Sequence, residues 1–207
     1  MSADRAKKIK VILFDVDGVL TDGTIWFFPA PASGPRTTDA HAERHHDSAG
    51  YGIVSQNMIE AKGFHAHDGT AISLARLGGL KTGIVTKRIS ETVALRARDL
   101  KLDFVFQGAA NKSEVLDKIL AESGIREEEV AYVGDDVIDL PIMRRCGLAI
   151  AVANARPQIK EMAHYQTASR GGEGAGRDAV EYILQAQGTL EKAIEAYVNA
   201  RTSIREQ

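Results

Sequence analysis

Cysteine is almost missing: Cys146 is alone among 207 residues. A single thiol excludes an internal disulfide and points to a reducing compartment. Proline is scarce as well, and three of the five prolines fall together at Pro29, Pro31 and Pro35. No apolar run is long enough to cross a bilayer. The basic start, MSADRAKKIK, leads into an apolar segment that meets Asp15 and Asp17 too soon for a signal peptide. The expected location is therefore the cytoplasm. Neither sign of charge is in excess. A net charge of -2 gives no reason to expect nucleic acid or a membrane as partner.

What is present is the composition of a soluble globular chain, 44% hydrophobic and 26% charged. Its length suits one α/β domain spanning residues 1–207. Ile9 to Phe14 is a short, β-branched run that ends at Asp15-Val-Asp17-Gly18, as a buried parallel strand would. Further strands are expected at Leu80 to Thr86, Phe104 to Phe106, Val130 to Val133 and Leu148 to Val152. Helices are expected at Ser90 to Leu100, Lys112 to Ser123 and Val137 to Arg145. This alternation predicts a doubly wound, Rossmann-like parallel sheet with helices on both faces. Ligands of such sheets gather outside the carboxyl ends of the strands. Asp15, Thr86 and Asp135 all fall there.

Residues from about 23 to 68 interrupt the alternation. Thr24 to Phe28 and Met58 to Ala66 read as the two arms of a β-hairpin insertion. The stretch between them, rich in Pro, Ala and His, reads as a projecting loop.

The chemistry concentrates in a few motifs. Asp15 and Asp17 stand two residues apart just past a buried strand, which crowds negative charge in a partly desolvated place. A divalent cation, Mg²⁺, would offset that repulsion and screen an incoming phosphate dianion. Asp15 is then the candidate nucleophile, and Asp17 the acid that protonates the leaving alcohol. Gly18 permits a sharp turn and close approach of backbone to phosphate. Gly134-Asp135-Asp136-Val-Ile-Asp139 supplies a second acidic group. Asp135 is the candidate metal ligand beside Asp15 and Asp17, with Asp136 in support. Asp139 reads equally well as a helix N-terminal charge. The Thr86 hydroxyl, with Lys87 and Arg88 behind it, is placed to bind phosphate. Lys112, at the start of a helix, is placed to neutralise phosphate and Asp15.

These residues carry a resemblance. Asp15-x-Asp17, Thr86, Lys112 and Gly134-Asp135-Asp136 follow the order of the four motifs of the haloacid dehalogenase superfamily, and the second Asp marks its phosphatase branch. Asp15-Val-Asp-Gly-Val-Leu-Thr-Asp-Gly23, Val133-Gly-Asp-Asp-Val-Ile-Asp-Leu-Pro141 and Gly171-Gly-Glu-Gly-Ala-Gly-Arg-Asp178 resemble the 3-deoxy-D-manno-octulosonate 8-phosphate (KDO 8-phosphate) phosphatase family. The resemblance implies a sugar phosphate substrate, an aspartyl-phosphate intermediate, a hairpin in place of a cap domain, and a homotetramer whose neighbours help enclose each site. It also makes a nonulosonate 9-phosphate the rival substrate. Outside the enzymes, it leaves a silent oligomerisation or regulatory module of a nucleotide-sugar pathway, which loss of the Asp pair would favour and which this sequence does not show. Three departures stand out, one of them a long extension at the hairpin tip. Thr86-Lys87-Arg88 replaces the family's Thr-Gly-Arg, and His67-Asp68-Gly69 replaces Arg-Asp-Gly. His67 then becomes the residue expected to meet the sugar, without the fork by which an arginine grips a carboxylate.

Other signals are weaker. His41, His45 and His46 suit a polar tip that touches substrate or a neighbouring subunit better than a transition-metal site. The glycines at 171–176 do not follow a first strand and are not a dinucleotide loop. Leu190, Ile194 and Val198 form a stripe suited to packing on its own domain or on another subunit.

Overall fold

The computed structural model describes residues 2–30, 40–44, 51–55 and 58–203. A short helix α1 (Ser2–Ala6) precedes strand β1 (Val11–Phe14). The insertion follows, with β2 (Trp26–Pro29), β3 (Ala40–Arg44), β4 (Tyr51–Ser55) and β5 (Met58–Ala61). Then come α2 (Ala66–Leu77), β6 (Lys81–Val85), α3 (Glu91–Asp99), β7 (Phe104–Phe106), α4 (Lys112–Ser123) and β8 (Val130–Gly134). A single 3₁₀ turn at Val137–Asp139 leads into α5 (Leu140–Met143). The chain closes with β9 (Leu148–Ala151), α6 (Pro157–Met162), β10 (Tyr165–Gln166), α7 (Ala175–Gln187) and α8 (Leu190–Ser203).

Six strands form one parallel sheet in the order β10-β9-β8-β1-β6-β7. The central strands are buried along their whole length, because helices cover both faces: β1 (VILF), β8 (VAYVG) and β9 (LAIA) expose nothing. Helices α2, α7 and α8 pack together on one face, and α4 packs with α5 on the other. The chain leaves β1 for β6 on one side and returns to β8 on the other side, so β1 is the switch point of the sheet. A crevice opens there between the carboxyl ends of β6, β1 and β8.

The expected strands and helices are present, with their ends moved by a residue or so. Two regions differ more. The segment expected as a helix from Val137 to Arg145 is a 3₁₀ turn followed by one short helix, because Pro141 lacks an N–H and the chain must first bend around Asp139. The hairpin arms pair only from Trp26↔Ala61 to Pro29↔Met58. Beyond Ala61 the return arm turns into α2, whose N-cap is His65, its Nδ1 accepting from the His67 N–H. His67 and Asp68 therefore lie in the first turn of α2. β3 and β4 form a second antiparallel ribbon within the insertion. The rest of the tip, including His45 and His46, lies outside the described residues, as does the His41 side chain. The expected stripe on α8 splits: Leu190 packs on the core beside Ala193 and Tyr197, while Ile194 and Val198 are exposed.

Candidate active site

Each motif is delivered by a strand end. Asp15 follows β1, Thr86 follows β6 and Asp135 follows β8, the three adjacent strands at the switch point. Asp15, Asp17, Thr86, Lys87, Arg88, Asp135, Asp136 and Ile138 line one cavity of about 170 Å³. Seven of the predicted site residues thus share a single opening.

Lys112 lies behind Asp15. Its side chain is buried, and its ammonium reaches Asp15 Oδ2 at 2.9 Å, Asp139 Oδ1 at 2.6 Å and the Tyr132 hydroxyl at 2.9 Å. Three N–H donors thus have three oxygen partners. Burial works against the ammonium, but the Asp15 and Asp139 charges outweigh it and raise the pKa, so Lys112 stays charged. Burial, then the Asp139 charge, pushes the Tyr132 hydroxyl well above its ordinary range and keeps it a neutral donor. It donates to Asp139 Oδ1 at 2.8 Å.

Asp139 is more than a helix N-terminal charge. It is fully buried, and its second oxygen accepts the backbone N–H of Asp135 at 2.9 Å and of Asp136 at 3.3 Å. One carboxylate therefore fixes both Lys112 and the loop that presents Asp135. Gly134 makes this possible, since a Cβ there would strike the Asp139 side chain at 2.6 Å. The signal was legible as an aspartate four residues after Asp135, but its direction into the core was not.

Carboxylate oxygens of Asp15, Asp135 and Asp139 lie within 4.8 Å of one another. Burial, opposed by Lys112 and assisted by Asp139, raises the Asp15 carboxyl to about 7. Burial, with the charges of Asp15, Asp139 and Asp136, raises Asp135 to about 7 as well. One ammonium does not neutralise so much negative charge. Both Asp139 oxygens are turned inward, whereas Asp15 and Asp135 line the cavity. Asp15 Oδ1 also accepts the Val16 N–H at 2.7 Å and its Oδ2 meets Lys112, but each oxygen keeps a second lone pair. The two carboxylates therefore remain hard oxygen donors that fit a small divalent cation.

The other predicted residues divide. Gly18 adopts φ 87° and lies so close to Asp135 that any Cβ would run into its carboxylate. The Gly18 carbonyl accepts from Asn154 Nδ2 at 3.3 Å, and Asn154 Oδ1 accepts the Gly171 N–H at 2.6 Å. Gly171 and Gly172 therefore pack against the first motif loop, while Gly176 packs against Asp68. Asp17 turns its carboxylate away from the three clustered oxygens toward Lys62 Nζ at 2.5 Å, with Arg88 Nε at 3.7 Å. Asp136 is exposed and caps the 3₁₀ turn through the Val137 N–H at 2.7 Å. His67 does not line the cavity; it is exposed on α2, edge-on to His65 at 4.7 Å. Lys62, Glu60, Tyr132 and Asn154 were missed as site residues. Lys62 and Glu60 alternate on one arm of the hairpin, but nothing in their spacing names a partner 45 residues away.

Residues 83–176 match the haloacid dehalogenase-like hydrolase family. The chain is 34% identical over 196 residues to the 3-deoxy-D-manno-octulosonate 8-phosphate phosphatase KdsC of Escherichia coli K12, covering 93% of this chain and 90% of that protein. The crystal structure of the 3-deoxy-D-manno-octulosonate 8-phosphate phosphatase from Yersinia pestis superposes with a TM-score of 0.76 at 33% identity, over 92% of this chain and 88% of that one. The phosphatase of that name from Moraxella catarrhalis, in complex with magnesium ion, phosphate ion and KDO, superposes with a TM-score of 0.77 at 30% identity, over 94% of this chain and 97% of that one.

Proposed function

Because the chain belongs to the KDO 8-phosphate phosphatase family of haloacid dehalogenase-like hydrolases, we propose that it hydrolyses KDO 8-phosphate to KDO and phosphate with Mg²⁺, through a phosphorylated Asp15. The observation that carries the reading is the meeting of Asp15, Lys112 and Asp135 at the ends of adjacent strands, across a small cavity from Thr86.

The roles follow from position. Asp15 and Asp135 would hold the cation, which supplies screening between the phosphate dianion and the attacking carboxylate. Thr86, Lys87, Arg88 and the Gly18 turn face the phosphate oxygens, where hydroxyl, cationic and backbone groups meet its charge. Lys112 holds Asp15 in line and offsets the charge that develops during transfer. An Asp15 oxygen attacks phosphorus as the P–O ester bond breaks, and Asp17 gives its proton to the departing sugar oxygen. The Asp17 carboxylate then takes a proton from water as that water attacks phosphorus. Phosphate leaves and the Asp15 carboxylate is restored.

The hairpin supports assembly. Trp26, Phe28 and Ile59 are about half exposed, and Phe27 and Met58 are exposed as well. A two-stranded ribbon is marginal by itself, and so many exposed large apolar side chains on one ribbon call for a partner surface. A homotetramer supplies it.

The test is phosphate release from a panel of sugar phosphates, with a nonulosonate 9-phosphate beside KDO 8-phosphate. KDO 8-phosphate should be turned over fastest. Activity should vanish with excess chelator and return with Mg²⁺. Preference for the nine-carbon substrate would overturn the substrate assignment, and full activity in chelator would overturn the metal.

A further inference from the structure

Four charged side chains from three separate segments meet beside the reaction cavity. Asp17 comes from the loop after β1, Glu60 and Lys62 from the returning arm of the hairpin, and Arg88 from the loop after β6. Lys62 Nζ lies 2.5 Å from Asp17 Oδ1 and 3.8 Å from Glu60 Oε1. Arg88 Nη2 donates to Glu60 Oε2 at 2.9 Å, and Arg88 Nε lies 3.7 Å from Asp17 Oδ2. The Lys62 side chain has no exposure at all, whereas Asp17 keeps 22%.

A buried ammonium is costly unless it is paired, and lysine is seldom fully buried for packing alone. Here the charge is spent on one oxygen of Asp17, while Asp17 still lines the cavity. An aspartate has two rotatable bonds, so its carboxylate can point in several directions unless something holds it. A cation fixed on one oxygen removes that freedom. Glu60 in turn supports the cation: its Oε1 lies 3.8 Å from Lys62 Nζ, a second anionic neighbour beside Asp17.

We propose that Lys62, backed by Glu60, is a positioning residue for Asp17, so that the hairpin arm sets the geometry of proton transfer to the leaving oxygen. The proposal rests on Asp17 being the acid of the reaction. It predicts that Lys62 acts on chemistry only through Asp17 and matters most where the leaving group needs its proton.

The experiment is a double-mutant cycle of Lys62→Met and Asp17→Asn, read as kcat/KM on a primary alkyl phosphate and on p-nitrophenyl phosphate. Lys62→Met should lower kcat/KM on the alkyl phosphate by at least about tenfold, within the range general acid catalysis supplies. The loss should be several-fold smaller on p-nitrophenyl phosphate, whose leaving group departs unaided. In the Asp17→Asn background the same substitution should cost less than about twofold. Lys62→Arg should recover part of the loss. Equal losses on both substrates, or full additivity with Asp17→Asn, would make Lys62 a structural residue and overturn the proposal. If Asp17→Asn itself costs the same on both substrates, the acid assignment fails, and this inference falls with it. Should Lys62→Met not fold by circular dichroism, Lys62→Gln removes the charge but keeps a polar, if shorter, side chain and is read in the same cycle.

Discussion

At the scale of single residues, the site is decided by where three aspartates point. Asp15 and Asp135 look outward to the cavity, and Asp139 looks inward to Lys112 and Tyr132. Sequence spacing placed Asp15 and Asp135 at strand ends and left Asp139 equally readable as a helix N-terminal charge, but only packing could assign the directions. The same limit explains His67. Its place before an Asp-Gly pair suggested the cavity, yet capping by His65 starts the helix early and sets His67 on an exposed face. Asp139→Asn should destabilise the protein by about 3 kcal/mol, the low end for breaking a buried pair, because Asp15 still partners Lys112. Urea unfolding checks this, and a change under about 0.5 kcal/mol would show that the carboxylate charge is not needed there.

At the scale of elements, the strands were legible and the contacts between loops were not. Apolar runs such as VILF and LAIA mark buried parallel strands from composition alone. The Gly171 segment was legible as a family-like motif and not a dinucleotide loop, but its packing role was not, because its partner is a carbonyl 153 residues earlier in the chain. A Cβ on Gly171 would collide with the Gly18 carbonyl oxygen. Gly171→Ala should therefore push the first motif loop off Asp135 and lower kcat/KM by about tenfold or more, as small misplacements do. Wild-type kinetics in this variant would mean that the loop does not depend on the glycine segment. A second element-scale contact joins the starts of β1 and β8. The Lys10 ammonium, 2.6 Å from Glu129, and the Arg126 backbone N–H hold the Glu129 carboxyl down at about 2. A depressed carboxyl stabilises the fold above its unfolded pKa of about 4.5, and that contribution is lost as pH falls toward 2. The stability gap between the parent and Glu129→Gln should be widest near neutral pH and close through this window. A gap that does not change with pH would rule out the charge as its cause.

At the scale of the whole molecule, one side of the sheet's carboxyl end holds the chemistry and the hairpin stands beside it. Its Trp26 and Phe28 rings stack at 6.5 Å yet remain half exposed, which is a poor arrangement for a lone chain in water. Sedimentation or light scattering should give about four times the 22.4 kDa monomer mass. Trp26→Glu with Phe28→Glu should shift the population toward smaller species. A wild-type monomer at micromolar concentration with full activity would contradict both the assembly and any sharing of sites between subunits. Among the described residues, no helix is long and apolar enough to cross a membrane.

The central claim is that phosphate passes through the Asp15 carboxylate. Asp17→Asn exposes that step, because p-nitrophenol leaves without an acid while the phosphorylated form lacks the base that would hydrolyse it. Mixing this variant with p-nitrophenyl phosphate and Mg²⁺, quenching rapidly, reducing the acyl phosphate with tritiated borohydride and locating the tritiated homoserine by peptide mapping measures it directly. The account predicts a burst of about one p-nitrophenol per site and label at Asp15. Label on another residue, or steady release with no burst and no labelled protein, would contradict it.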